Sequence, residues 1–267
     1  MLVVDNIHFA FRDGPVLDGL GLEAGGGEIV GVVGPNGSGK TTLLRLISGV
    51  LRPSSGRIRV DGQDVMELSA SRLARLIAVV PQNPALPNGF TVLDLVLMAR
   101  NPHLKLLQWE GQADLDIAVR ALEATETLGL ADRPLGTVSG GERQRAVVAM
   151  ALAQETSVLL LDEPTSNLDL AHQTGVMDMV ARVVRERGAA CLVAMHDLTL
   201  AAQYCSRLVL LADGSAFADG PPAEVLTARN IAAAYGTEVF ILSHPQGGTP
   251  VVLPAGERRG VGTGHES

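Results

Sequence analysis

Short runs of Val, Leu, Ile and Ala recur along the chain at 28–33, 77–81, 158–162, 189–195 and 207–212, almost free of polar residues. Too short for helices and not alternating, they read as strands buried on both faces. Residues 2–11 and 16–23 do alternate, with Arg12-Asp13-Gly14-Pro15 between them, and predict an antiparallel hairpin. A further strand is expected at 57–60, after the break Pro53-Ser54-Ser55-Gly56 and before Asp61-Gly62. Helical spacing follows at 41–47, 91–99, 115–128, 146–153, 170–187 and 198–205, with Gly188 just beyond the fifth of these. Alternation of buried strands and helices predicts an α/β fold with a mostly parallel sheet, an N-terminal antiparallel β subdomain and ligands at the carboxyl ends of the strands.

The stretch 83–150 differs in character. Prolines at 84, 87 and 102 punctuate it and its apolar spacing is helical, so it is expected to be a helical insertion between core segments 1–82 and 151–242. Beyond Leu242 glycine, proline and charge dominate, and 243–267 is expected to be a flexible tail. No internal repeat is present.

Composition narrows the picture. Hydrophobic residues make up 46% and aromatics only 3%, so the core must be aliphatic, as a helix-covered parallel sheet requires. A formal charge of −8 gives no electrostatic ground for a nucleic-acid partner. Residues 1–6 lack the features of a signal peptide and no apolar stretch is long enough to span a bilayer, which predicts a cytosolic chain. Cys191 and Cys205 have neither metal nor redox spacing and are expected to be core filler.

Gly34-Pro35-Asn36-Gly37-Ser38-Gly39-Lys40-Thr41 matches the G-x-x-x-x-G-K-[ST] phosphate loop and lies between a predicted strand and a predicted helix. Its glycines let successive amides converge on one point, where the helix N-terminus adds positive potential. Lys40 can reach the β- and γ-phosphates, and the Thr41 hydroxyl is placed to ligate Mg²⁺. The chain has only two lysines, Lys40 and Lys105, which argues against an accidental glycine turn. Phe9 and Phe11 precede the hairpin turn; either can pack in the core, and Phe11 can instead offer its ring to adenine.

The strand 158–162 ends in Asp162-Glu163-Pro164. Adjacent residues at a strand end point different ways, so Asp162 suits Mg²⁺ and Glu163 suits the attacking water. A positioned proton acceptor of this kind contributes roughly 10² to 10⁴ in rate. Val138-Ser139-Gly140-Gly141-Glu142-Arg143-Gln144-Arg145 opens a further helix with Ser139 as an N-cap. Together with the phosphate loop and the acidic pair, this stretch resembles the signature of the ATP-binding-cassette ATPases. Gln82 at a strand end is similar to that family's Q-loop, Ser166-Asn167-Leu168-Asp169 to its D-loop, and His196 to its switch histidine.

The resemblance covers residues 1–242 and implies a P-loop ATPase that binds ATP and Mg²⁺. It implies that Gly34 to Thr42, with Pro35, Asn36, Gly37, Ser38, Gly39, Lys40 and Thr41 between, hold the phosphates, and that Thr41, Gln82 and Asp162 serve the metal. It implies two cassettes associated head to tail, with Ser139, Gly140 and Gly141 meeting the γ-phosphate on the partner's loop and Asp169 crossing the interface. Glu163 then orients water, His196 and Lys40 stabilise charge, and Gln82 links the cycle to the helical insertion. Departures from the pattern are Val138 for leucine, Ala99 for glycine, Asn167 for a small residue and Met150 for arginine; none removes a phosphate ligand.

Within the family, Met98 to His103, Ala151 to Glu155, His196 to Ala202 and Gly220 to Leu226 resemble the importer branch for iron-siderophore, haem and cobalamin. That branch implies a separate integral-membrane permease, an external substrate-binding protein and a peripheral place on the cytoplasmic face of the inner membrane. The stretch 90–97 is either a docking surface or a helix packed in its own subunit. Alternatives are another cargo such as an oxyanion, an exporter, or a soluble repair or translation cassette; the chain lacks the long coiled coil or second cassette those soluble members carry.

Overall fold

The first two strands, β1 (Leu2–Phe11) and β2 (Gly14–Ala24), form the expected hairpin, closed by the two-residue turn Arg12-Asp13. The computed structural model describes residues 1–255 apart from 85, 87, 88, 106, 167 and 246. The central strand β3 (Ile29–Val33) leads through the phosphate loop into α1 (Lys40–Ile47). Strands β4 (Ser55–Val60) and β5 (Gln63–Asp64) join the hairpin in a four-stranded antiparallel sheet of order β2-β1-β4-β5. Next come α2 (Ala70–Leu73), β6 (Ile77–Val80), α3 (Val92–Met98), α4 (Gln112–Ala124) and α5 (Gly140–Ala153). The chain continues with β7 (Val158–Asp162), α6 (Leu170–Arg187), β8 (Ala190–Ala194), α7 (Leu198–Tyr204) and β9 (Arg207–Ala212). It closes with β10 (Ser215–Gly220), α8 (Pro222–Val225), α9 (Ala228–Tyr235), β11 (Val239–Ser243) and β12 (Pro250–Pro254).

The main sheet has the order β10-β9-β3-β8-β7-β6, parallel from β9 to β6 with β10 antiparallel on the edge. Alternation along its strands divides the core in two. Val158 and Leu160 of β7, with Leu192 of β8 and Val30 and Val32 of β3, face α1 and the antiparallel sheet. Leu159, Leu161, Val193 and Cys191 face α3 to α7. Both faces are covered, which is why these strands carry unbroken apolar runs. Cys191 and Cys205 are buried free thiols, as filler would be, and burial pushes both thiols up, Cys205 to about 12.

Two features depart from expectation. Ser215–Gly220 forms an edge strand that its sparse apolar content did not announce. Order does not stop at Leu242: β12 pairs with β11, Pro250 is buried, and the Val252 amide donates to Thr199 Oγ1 at 3.1 Å, so this part of the expected flexible tail is tied to α7. The remainder, 256–267, lies outside the described residues, as does Asn167. Of the two readings left open for 90–97, the packed helix fits better: α3 buries Val92, Leu95 and Val96 within its own subunit and leaves Phe90 exposed.

Arg100 follows α3 and shows how the helices are tied together. Its side chain is only 7% exposed, and the guanidinium donates to Asp114 at 3.0 Å, to Glu155 at 3.0 Å and to the Ala153 carbonyl at 2.8 Å. One cation thereby joins the end of α3 to the first turn of α4 and the end of α5.

Candidate functional site

Four neighbouring parallel strands, β3, β8, β7 and β6, end at the same edge of the sheet. At or just past those ends lie Gly34, His196, Asp162-Glu163 and Gln82, so sheet order alone collects groups separated by more than a hundred positions in sequence.

The phosphate loop depends on glycine at specific places. Gly34 has φ +153, and a methyl there would lie 2.3 Å from the Leu211 carbonyl. Gly39 has φ +101, and its missing methyl would meet Leu17 Cδ2 at 2.6 Å, so β2 braces the loop from below. Lys40 is buried and donates to the Gly34 and Pro35 carbonyls at 2.7 and 3.0 Å. Burial pushes its ammonium below the usual lysine range, opposed by Glu163 and Asp162. Pro35 is half-buried and Asn36 and Gly37 are exposed at the loop's crest, while the buried Ser38 hydroxyl has no hydrogen-bond partner among the described residues.

Thr41 Oγ1 donates to Asp162 Oδ1 at 3.1 Å, and Thr42 beside it is half-buried. Burial pushes the Asp162 carboxyl up, against the lowering effect of that hydrogen bond. Thr41, Asp162 and Gln82 line one cavity of about 880 Å³. A hydroxyl, a single carboxylate and an amide are hard oxygen donors, the set Mg²⁺ takes when substrate phosphates supply the rest of its shell. Among the described residues no three His, Cys, Asp or Glu cluster as a metal site.

Glu163 stands apart from Asp162. It has φ +49, an uncommon left-handed conformation for a residue with a side chain, and its amide donates to the Ala194 carbonyl at 3.0 Å. The turn sends its carboxylate away from Thr41 towards Gln82, whose amide donates to Oε2 at 2.6 Å. His196 Nδ1 lies 3.5 Å from the same oxygen.

Ser139, Gly140, Gly141 and Asp169 form a second cluster, with no hydrogen bond or ion pair to the phosphate loop among the described residues. Ser139 and Glu142 make a reciprocal capping box at the start of α5, with bonds of 3.3 and 2.8 Å. Asp169 caps α6 by accepting from the His172 amide at 3.0 Å. Of the two early aromatics, Phe9 is packed and Phe11 is 48% exposed, meeting Phe9 edge-on at 4.8 Å. Phe11 lies near the hairpin tip, whose second strand touches Gly39.

Sequence reasoning passed over two side chains at these sites. The buried Tyr235 hydroxyl from α9 approaches the Gly34 backbone without meeting hydrogen-bond geometry, and burial pushes the phenol up to about 12. His172 lies against both Asp169 and Gly141. Its spacing, three residues after a helix-capping aspartate, was visible in the sequence, whereas its contact with Gly141 was not.

Residues 17–166 match the family model described as ABC transporter. The chain is 39% identical to the ferric enterobactin transport ATP-binding protein FepC of Escherichia coli over 241 residues, covering 90% of this chain and 89% of that one. It is 43% identical to the hemin import ATP-binding protein HmuV of Gloeobacter violaceus over 248 residues, with 90% and 89% covered. Among solved structures it resembles a putative metal-chelate type ABC transporter in an inward-facing conformation, with TM-score 0.85, 29% identity and 96% and 98% coverage. It also resembles an ATP-binding cassette in a dimeric post-hydrolysis state bound to ADP and Pi, with TM-score 0.73, 26% identity and 83% and 99% coverage. With the nucleotide loop, strand-end acids and signature helix already in place, these similarities show that the chain belongs to the ABC transporter family and is one of its ATPase subunits.

Proposed function

We propose that this chain hydrolyses ATP to drive import of an iron chelate, haem or cobalamin through a separate permease. The observation that carries the catalytic part is the convergence of Lys40, Thr41, Gln82, Asp162, Glu163 and His196 on the carboxyl ends of four adjacent strands. Gly34, Pro35, Asn36, Gly37, Ser38, Gly39 and Thr42 offer backbone and hydroxyl groups to the phosphates, and Phe11 offers its ring to the adenine. Thr41 and Asp162, with Gln82, would hold Mg²⁺, which when bound neutralises charge on the β- and γ-phosphate oxygens.

Lys40 leaves the Gly34 and Pro35 carbonyls for the phosphates when nucleotide binds. Glu163 then holds the attacking water and takes its proton, and His196 stabilises charge developing on the γ-phosphoryl oxygens. Ser139, Gly140 and Gly141 of a second copy close over that phosphate with Asp169 at the joint, so each site needs both chains; the dimeric arrangement of the similar cassette supports this.

For the permease, the 880 Å³ cavity is the better docking candidate than α3. Leu44, Val50, Leu68 and Leu73 give it an apolar wall, Arg45 and Arg52 add charge, and its floor reaches Thr41, Asp162 and Gln82. A permease segment seated there would touch the catalytic edge directly. No helix among the described residues is long and apolar enough to cross a membrane, so the chain would sit peripherally on the cytoplasmic face while a binding protein delivers cargo outside.

The test is co-expression with a permease that co-purifies with the chain, reconstitution in vesicles, and ATP-dependent uptake of ferric siderophore, haem or cobalamin in turn. Uptake of one of them supports the import reading. Failure with all three, alongside intact ATP hydrolysis, overturns the cargo and leaves the ATPase standing.

A further inference from the structure

We propose that His172 is a positioning residue that fastens the D-loop aspartate to the signature loop, so that the surface offered to the twin's γ-phosphate moves as one piece. The proposal rests on the head-to-tail reading above and adds a residue to it.

Asp169 Oδ1 is held twice by the same residue, at 3.0 Å from the His172 amide and at 2.6 Å from its Nδ1. A carboxylate can only accept, so Nδ1 carries the hydrogen and the far nitrogen, Nε2, is left for whatever lies beyond. The ring then crosses to α5. A methyl on Gly141 would stand 2.5 Å from His172 Cδ2, 3.0 Å from Cγ and 3.1 Å from Nε2, so the imidazole occupies the space a side chain at position 141 would need. Gly141 itself is buried.

Neither helix needs this ring for its own capping. Ser139 and Glu142 complete the box at the start of α5, and Asp169 caps α6 through the His172 backbone amide whatever side chain that residue carries. The side chain, 44% exposed, nonetheless lies between the two motifs, bonded to Asp169 and packed on Gly141. What it adds is mechanical: Asp169 cannot shift without moving the ring, and the ring cannot move without changing the support under Gly141. When a second copy presses on Asp169, the signature loop is set in the same motion.

The test uses the full chain in a Glu163→Gln background, where ATP is bound but turned over slowly, with ATP-driven self-association followed by light scattering. His172→Ala is expected to weaken that association roughly tenfold, the scale of one hydrogen bond to a charged group. Affinity of the monomer for a fluorescent ATP analogue stays within about twofold and the melting temperature within about 3 °C. His172→Asn, whose amide can replace Nδ1 against Asp169 while leaving Gly141 bare, falls between the two. With Glu163 restored, His172→Ala lowers kcat and leaves KM for ATP nearly unchanged. Association of the alanine variant within twofold of its parent overturns the proposal, as does a loss matched by a fall in monomer ATP affinity or melting temperature. If the Glu163→Gln parent itself never associates on ATP, the head-to-tail reading fails first and the role of His172 falls with it.

Discussion

The Gln82 amide and the Glu163 carboxylate meet at 2.6 Å, joining the end of an outer strand to the end of its neighbour across the catalytic edge. With His196 3.5 Å from the same oxygen, the carboxylate is oriented from two sides and is only 18% exposed. A group so held is suited to aligning a water molecule, and in the proposed mechanism its charge is what takes the proton. Glu163→Gln keeps size and shape but removes that charge. Turnover is expected to fall at least ~10²-fold while equilibrium ATP binding stays near normal. Phosphate release and nucleotide binding, measured on the same preparation, check both halves, and undiminished hydrolysis would show that another group is the base.

Gly34→Ala tests the loop's geometry. The new methyl would lie 2.3 Å from the Leu211 carbonyl at φ +153, a contact that backbone cannot relieve by a rotamer change. Gly37→Ala shares a positive φ, +82, but finds open space, so it carries conformational strain of about 1–2 kcal/mol and no clash. The first variant is expected to lose the thermal stabilisation given by Mg-ATP altogether, and the second to keep the fold with its own melting temperature lowered by only a few degrees. Equal melting temperatures for the two apo-variants would contradict the packing argument.

The phosphate loop, the strand-end acids and the signature helix were legible in sequence because each is local. Gly34 to Thr41 is a contiguous loop, Asp162-Glu163 terminates an apolar run, and Ser139 opens a helix three residues before its capping partner Glu142. What escaped depends on contacts with other elements rather than on a segment's own pattern. Ser215–Gly220 is a strand because β9 lies beside it, and Phe217 on it is exposed, so its own pattern is weak. The strand Pro250–Pro254 exists by pairing with β11 across a glycine-rich turn and resting on α7. Arg100 was read as part of a stretch shared with importers, and only the fold reveals that its charge is buried against Asp114 and Glu155.

Arg100→Met should therefore be costly although it looks like a surface change. It leaves the Asp114 carboxylate, 13% exposed, without its cationic partner and the Ala153 carbonyl without its side-chain donor. Breaking a buried pair by removing one partner costs about 3–5 kcal/mol, which for a chain of this size is a fall in melting temperature on the order of 10 °C. Arg100→Lys recovers only part, because one ammonium cannot reach Asp114, Glu155 and the carbonyl in the fork geometry of a guanidinium. Calorimetry of the three proteins decides it, and a methionine variant melting with the parent would mean that the pair is not buried in solution.

The same cluster sets an acid limit on stability. Asp114 accepts from the Gly111 amide at 3.1 Å on one oxygen and from Arg100 at 3.0 Å on the other, and these bonds, the Gly111 amide foremost, hold its carboxyl below the usual range. The folded state therefore binds this proton less readily than the unfolded chain, whose aspartates titrate near ~3.9. The resulting stabilisation is fully present above about pH 4 and disappears as pH falls through the depressed folded value. Asp114→Asn removes the titration. It should be less stable than the parent at neutral pH, with the gap closing as pH falls below about 4 and through the depressed folded value, where the parent's own carboxylate is protonated. Urea midpoints measured across that range for both proteins give the answer: converging curves support the bonding described, and a gap that stays constant down to pH 2 would place the acid sensitivity on other carboxylates.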